Sequence, residues 1–405
     1  MVHEGFLAAL FAGSAHKLKK LILSRSQVKS ASIQAVQKAL EHGECQIQHL
    51  NLAGVYRDSN ITPIAKALEV NTSLKELILS CNSYLLDDGA DALANALRVN
   101  STLESINFCD ADIDVEMTFS TNGWKLFSKG LKEAKSIQRL DISDNNFTVE
   151  GMQYLLDGLR ENGSITDITM QDIGVDPEGF DLIGDLIRTR SFKYLNISNM
   201  SKSMGIYMAY QGLSDRFLGS VAHSINGNTG MEVLKASHIN MEGPNGLTPI
   251  ISSLANNTTL RELDISGIRQ DHLLRELTDS LTSNEHLLKL NLKSIPFSTD
   301  EFEYFAESLP KMKSLESILF GELDHTLAIA LLNGMKDNDT LKHVDGPLGN
   351  ESCWRMIDFY LRLNRGGRKS LKLLLPSVLL PRMLSRSTNY PDVLFEILRE
   401  IQLHA

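Results

Sequence analysis

A chain of 405 residues gives a prior of two or three domains at about 150 residues each. Its composition of 42% hydrophobic, 22% charged and 6% aromatic residues is that of a packed chain and excludes wholesale disorder. The formal net charge of −10 argues against generic binding to a nucleic-acid backbone, and no run approaches the roughly 18 apolar residues of a transmembrane helix.

The chain opens on an apolar stretch, Phe6 to Ala12, and Gly13-Ser14-Ala15 has the look of a cleavage site. A secretory signal has basic residues at its start, where this chain has His3 and Glu4. Residues 1–17 are therefore read as an amphipathic helix that caps whatever follows. From Leu18 onward a period takes over. Leu74-Lys75-Glu76-Leu77-Ile78-Leu79, Leu260-Arg261-Glu262-Leu263-Asp264-Ile265 and Leu287-Leu288-Lys289-Leu290-Asn291-Leu292 each read L-x-x-L-x-L. With the second apolar position as anchor, the series runs Leu21, Leu50, Leu77, Ile106, Leu140, Ile168, Leu195, Leu234, Leu263, Leu290, Ile318 and Val344. Nine of the eleven spacings lie between 26 and 29, with longer units of 34 after Ile106 and 39 after Leu195.

Within each unit the hydrophobic period changes. Around the anchor it is two, as a half-buried strand requires. About ten residues later it becomes helical, as in Gly89–Leu97 before Asn100, Ile64–Leu68 before Asn71, Met152–Leu156 before Asn162 and Ile250–Leu254 before Asn256-Asn257. The closing Asn suits a left-handed helix C-cap. Each unit is then one short strand, a turn, a helix and a return turn. Such a unit cannot bury its apolar face alone, so the units stack and share a core.

This pattern resembles the leucine-rich-repeat family in its ribonuclease-inhibitor type, with repeats of 28 and 29 residues. The resemblance covers residues 18–350 and implies an α/β solenoid of about twelve repeats, a curved horseshoe with parallel strands on the concave face and helices on the convex face. The family places Asn, or sometimes Cys, five residues after the anchor. Asn82 and Asn145 fit, whereas other units carry Val55, Ala111, Ile173, Met200 or Ile268, so that ladder is broken. Residues 351–405 are read as a C-terminal helical cap, from Trp354–Leu361 to a last helix over 392–402. Its stretch from Phe359 to Phe395 is more loosely similar to segments that close other eukaryotic repeat arrays.

Residues flanking the anchors point to the concave surface. They give a polar, mildly acidic floor on which the candidate partner-binding residues are Asn51, Asn107, Arg139, Asp141, Asp167, Thr169, Tyr194, Asn196, Glu262, Asp264 and Asn291. The plainer reading is a row of solvated strand positions echoing the repeat consensus. The longest unit, 195–233, offers Met204, Tyr207 and Tyr210 as a second partner-binding candidate, against a Met stripe that packs into the core. The unit over 106–139 holds an insertion and Trp124. A third candidate is electrostatic. The segment 362–386 has Arg362, Arg365, Arg368 and Lys369 among seven cations, and no acid lies between Phe359 and Pro391. It suits either weak contact with an anionic membrane or acidic partner, or a cap helix.

Four cysteines, Cys45, Cys81, Cys109 and Cys353, fit a reducing compartment, and the localisation read from them is cytoplasmic. Cys45 between His42 and His49 makes a poor metal site, so a solitary structural thiol is preferred. Asn-x-Ser/Thr triplets such as Asn71-Thr72-Ser73 and Asn257-Thr258-Thr259 carry no glycan without secretion. No phosphate-binding, dinucleotide, metalloprotease or nucleophile-elbow motif occurs. Asp87-Asp88, at a turn before a helix, suits capping. The reading is a non-enzymatic protein–protein interaction module without cofactor, metal or nucleic acid, whose partner is a protein. The alternatives are a small-GTPase regulator of activating-protein type, and the recognition half of an innate-immune or host-interacting receptor or effector.

Overall fold

The structure, a computed structural model, describes residues 17–25, 30–55, 61–82, 85–109, 119–200, 212–227, 229–345 and 351–366. The predicted N-terminal cap, 1–16, lies outside them. The chain groups into two compact units, Met1–Ser224 with Ile239–Pro244, and Ile225–His238 with Asn245–Ala405.

In the first unit strand and helix alternate: β1 (Lys20–Ile22), α1 (Ser30–Glu41), β2 (His49–Asn51), α2 (Thr62–Leu68), β3 (Glu76–Ile78), α3 (Leu86–Val99), β4 (Ser105–Asn107), α4 (Thr121–Glu133), β5 (Arg139–Asp141), α5 (Val149–Glu161), β6 (Asp167–Thr169), α6 (Pro177–Thr189) and β7 (Tyr194–Asn196). Helix α7 (Asp215–Asn226) passes in sequence into the second unit. There follow β8 (Val233–Lys235), α8 (Thr248–Leu254), β9 (Glu262–Asp264), α9 (Leu273–Ser283), β10 (Lys289–Asn291), α10 (Thr299–Ser308), β11 (Ser317–Leu319), α11 (His325–Met335), β12 (His343–Asp345) and α12 (Glu351–Arg365).

The strands pair in parallel in chain order, β1 to β7 in the first unit and β8 to β12 in the second. Anchor faces anchor throughout, from Leu21 against Leu50 to Ile168 against Leu195, and from Leu234 against Leu263 to Ile318 against Val344. The anchors are buried and their two neighbours look outward, as a period of two demands. Behind them the helices bury one face, in α3 through Ala90, Leu93, Ala94, Ala96 and Leu97. Close approach there needs small residues: a Cβ on Gly130 of α4 would lie 2.3 Å from the Ala94 Cα.

Four residues after the anchor the chain turns through a left-handed residue. It does so at Arg25, Gly54, Cys81, Asp144, Asp172, Asn199, His238, Gly267 and Ser294, with φ between 53° and 70°. Seven of these nine carry a Cβ in a conformation that costs a non-glycine residue about 1 kcal/mol. The next side chain turns back into the core. Asn82 donates there to the carbonyls of Leu52 (2.9 Å) and Leu79 (2.8 Å), while Val55, Ile173, Met200 and Ile268 fill the same place with apolar bulk.

A second series of asparagines stands at the opposite turn, where helix returns to strand, and it corrects the expectation of left-handed caps. Asn100, Asn162 and Asn284 are extended, with φ between −71° and −88° and ψ near 130°. Their side chains do the capping. Asn100 Nδ2 donates to the carbonyls of Leu68 (2.7 Å) and Asn71 (3.0 Å) in the preceding repeat, and its Oδ1 accepts from the amides of Thr102 and Leu103. Asn71, Asn162, Asn257, Asn284 and Asn338 make the same pattern. The hydroxyl two residues on adds a third tie, as Ser73 to Ile47, Ser164 to Ala134 and Thr340 to Met312, each at 3.0 Å. The Asn-x-Ser/Thr triplets thus have a structural cause, and Asn71 and Asn257, at 4% and 1% exposure, are buried.

Helix α12 is tied to the second unit by the same device. Asn364 Nδ2 donates to the carbonyls of Asn338 (3.2 Å) and Leu341 (2.8 Å), while Ile357, Leu361 and Leu363 are buried. Asp87 does not cap its own helix as expected. It accepts from Ser120 Oγ (2.6 Å) and Asn122 Nδ2 (2.7 Å) of the following unit, and α3 has no side-chain cap.

Removing a ladder side chain leaves two amides and two carbonyls short of partners, so Asn100→Ala should destabilise by about 2–4 kcal/mol, read as a fall in the urea midpoint. Ser294→Gly should raise that midpoint by the equivalent of about 0.5–1 kcal/mol, because glycine relieves the left-handed strain.

Candidate protein-binding face

The exposed face of the strands is built from the residues on either side of each anchor. In the column before the anchor the first unit presents His49, Glu76, Ser105, Arg139, Asp167 and Tyr194 in register, and in the column after it Asn51, Ile78, Asn107, Asp141, Thr169 and Asn196. In the second unit Glu262 and Lys289 lie in the first column, Asp264 and Asn291 in the second. Every predicted concave-face residue therefore stands on the strand surface. Arg139 is exposed, Asn196 is buried, and the others are half-buried.

The asparagines and aspartates of the second column have a local task. Asn51 Oδ1 accepts from the amide of Ala53 (2.9 Å), Asn107 from Cys109 (2.9 Å), Asp141 from Ser143 (3.0 Å), Asn196 from Ser198 (3.0 Å), Asp264 from Ser266 (3.0 Å) and Asn291 from Lys293 (3.1 Å). Each oxygen holds the amide two residues on and shapes the turn out of the strand. Neighbours link across repeats as well: Ser80 donates to Asn107, and Asn107 Nδ2 to Asp141 at 2.7 Å.

Charges near this face pair between repeats, four of the five pairs joining adjacent ones and Lys293–Asp345 spanning two. His49 bonds Glu76 (2.6 Å), Lys75 bonds Glu104 (2.6 Å), Lys289 reaches Glu262 (3.4 Å), Lys293 meets Asp345 (2.7 Å) and Lys342 meets Glu316. The hydrogen bond from Lys75 holds the Glu104 carboxyl below its ordinary range, and that from Lys293 does the same for Asp345. Opposite charges one repeat apart in sequence are the signal for four of these pairs; Lys293 and Asp345 stand 52 residues apart. Cys109 is different: burial first, then its hydrogen bond to Asp144 (3.2 Å), pushes the thiol well above the ordinary range.

The remaining candidates separate. Met204, Tyr207 and Tyr210 lie outside the described residues. Trp124 is fully buried in α4 among Phe108, Phe119, Phe127 and Phe147, so it belongs to the core. Arg362 and Arg365 pair with Asp358 on their own helix at 2.6 and 3.4 Å, while Arg368 and Lys369 lie outside the described residues. His42 Nδ1 accepts from the amide of Glu44, and His49 is bound to Glu76, so the two do not converge on Cys45. Among the described residues no group of His, Cys, Asp and Glu is arranged to hold a metal, and no helix is long and apolar enough to cross a membrane.

The sequence matches the family described as Leucine Rich repeat over residues 70–94 and 134–156, the stretches around α3 and around β5 and α5. The fold is a leucine-rich-repeat α/β array. Leucine-rich-repeat domains generally mediate protein–protein interaction. Solved structures similar to this repeat array include the actin-binding site 2 of leiomodin-1, at 15% identity over 38% of this chain and 91% of that one, with a TM-score of 0.35. Another is the tropomodulin C-terminal domain of Caenorhabditis elegans, at 13% identity over 38% and 98%, with a TM-score of 0.33. No curated protein matches the sequence.

In the repeat array, Glu104 and Asp345 have lowered folded pKa values. Their stabilising contribution is present above the ordinary carboxylate range and is lost as pH falls through the folded value. Lys75→Met should move the Glu104 titration upward, as followed by carboxyl NMR shifts. Cys109 should alkylate far more slowly than a free thiol at mildly alkaline pH, and Asp144→Asn should speed it by removing the negative charge beside it.

Proposed function

We propose that the chain is a non-enzymatic protein-binding module whose partner docks on the strand face of the first unit. The observation that carries this reading is a row of adjacent side chains, Arg139, Asp167 and Tyr194, side by side in register on β5, β6 and β7. Arg and Tyr are the residue types that anchor interfaces, and an acid between them gives the row a charge pattern to recognise. Among the described residues no ion pair joins Asp167 to Arg139, unlike Lys75 and Glu104 of the same unit. The asparagine and aspartate column shapes the surface, and Glu262, Asp264 and Asn291 extend the reading to the second unit.

The spacings of 26 to 29 residues support assignment to the ribonuclease-inhibitor type of repeat. Four cysteines present as thiols support a cytoplasmic setting. The Asp358 pairs of Arg362 and Arg365 favour the cap reading of the basic segment over membrane contact. A small-GTPase regulator and the recognition half of a receptor remain as narrower forms of the same binding role.

Affinity capture from lysate with the wild type, with Arg139→Glu/Tyr194→Ala and with the helix-side control Arg98→Ala tests the face. The expected result is a set of proteins held by the wild type and the control and lost by the double variant, by about tenfold or more in affinity. Equal retention by the double variant would remove the strand face from the account.

A further inference from the structure

The turn from α5 into β6 and the turn from α6 into β7 enclose a cleft of about 580 Å³ in the first unit, lined in part by Arg160, Asn162, Thr166, Arg190 and Ser191. It opens where the asparagine ladder is interrupted. Asn162 serves the first turn, but in the second the ladder position is Thr189, whose hydroxyl donates within its own helix, and the residue after it, Arg190, is the extended one that ends α6. Arg190 Nη2 ties the two turns by donating to the Ile165 carbonyl at 2.7 Å, and its guanidinium lies over the Phe192 ring, 5.3 Å from Cζ to the centroid.

That tie brings a charge into the turn. Nη1 of Arg190 is buried without a hydrogen-bond partner, and among the described residues no carboxylate pairs with this guanidinium. A half-buried cation without a counter-ion costs free energy that a bound anion would recover. Arg160, also lining the cleft, is already neutralised by Asp157 at 2.6 Å, so the uncompensated charge is that of Arg190. The hydroxyls of Thr166 and Ser191 donate to no protein group among the described residues and line the same space. A planar guanidinium with two hydroxyl donors is a set that matches the oxygens of a phosphate group.

We propose that this cleft binds the phosphate group of a small phosphorylated molecule, with Arg190 as the charge partner and Thr166 and Ser191 as donors. The site sits at the helix-to-strand turns and is independent of the strand-face reading. The test is phosphorus NMR of inorganic phosphate at millimolar concentration with the full chain. The wild type should broaden the phosphate line saturably, and equimolar sulfate should compete. Arg190→Gln, which removes the charge and keeps a donor, should keep the fold by circular dichroism and weaken the effect by about tenfold or more. Ser191→Asp, which puts a carboxylate into the cleft, should do the same without touching the ladder. No saturable broadening by the wild type, or equal broadening by both variants, would overturn the proposal.

Discussion

The structure depends on a buried amide side chain at six of the turns where a helix returns to its strand. An asparagine there faces two ways. Its Nδ2 ties it to carbonyls of the preceding repeat, and its Oδ1 holds the first amides of its own strand segment, as Asn100 does with Leu68, Asn71, Thr102 and Leu103. Hydrophobic burial drives the units together, but it is non-directional and would tolerate a slipped neighbour. The asparagine is directional, since its bonds exist only when one repeat sits in one register on the last. Register in turn decides which residues of each three-residue strand are outward, because a one-residue slip would expose the anchors. The composition of the strand face is therefore a consequence of the return turn.

The same chemistry constrains what that face can offer. On the far side of the strand a second set of short polar side chains, Asn51, Asn107, Asp141, Asn196, Asp264 and Asn291, holds the amides that lead into the left-handed turn. Changing one of them alters the backbone beneath the surface as well as the surface itself. Recognition is more readily carried by positions whose side chains do not serve the turn, which is why Arg139, Asp167 and Tyr194 stand out from a longer row of polar candidates. Where the ladder asparagine is missing, at Thr189, the neighbouring Arg190 reaches back to the Ile165 carbonyl beside an open cleft and has no carboxylate partner among the described residues.

Much of this fold was legible before any coordinates. Within each unit the anchors fall opposite one another because a hydrophobic residue at a fixed spacing has a single place to go in a stacked array. The predicted break in the asparagine series after the strand is also present, with Val55, Ile173, Met200 and Ile268 packed where Asn82 bonds. The return-turn ladder was visible in the same rows and was misread. Asn71, Asn100, Asn162, Asn257, Asn284 and Asn338 each stand six residues before an anchor. Asn71, Asn100, Asn162 and Asn257 read as helix caps because a cap is a local pattern, whereas the carbonyls they bond lie 28 to 32 residues away. Trp124 shares its unit with an insertion, and its place in the core shows only in the aromatic cluster that buries it, which is drawn from two successive units. The basic segment looked unopposed because Asp358 sits one residue before its first counted position and reaches Arg362 and Arg365 only once the chain is helical.

Hydrogen exchange at the return turns tests the account most directly. If the buried asparagines hold the stack, the paired amides of Ser73 and Leu74, Thr102 and Leu103, Ser164 and Ile165, and Thr259 and Leu260 should be among the slowest in the chain. They should exchange together with the strand amides that follow them. Exchange at these turns near the rate of an open loop, with the strands still protected, would show that apolar packing alone sets the register and would contradict the account.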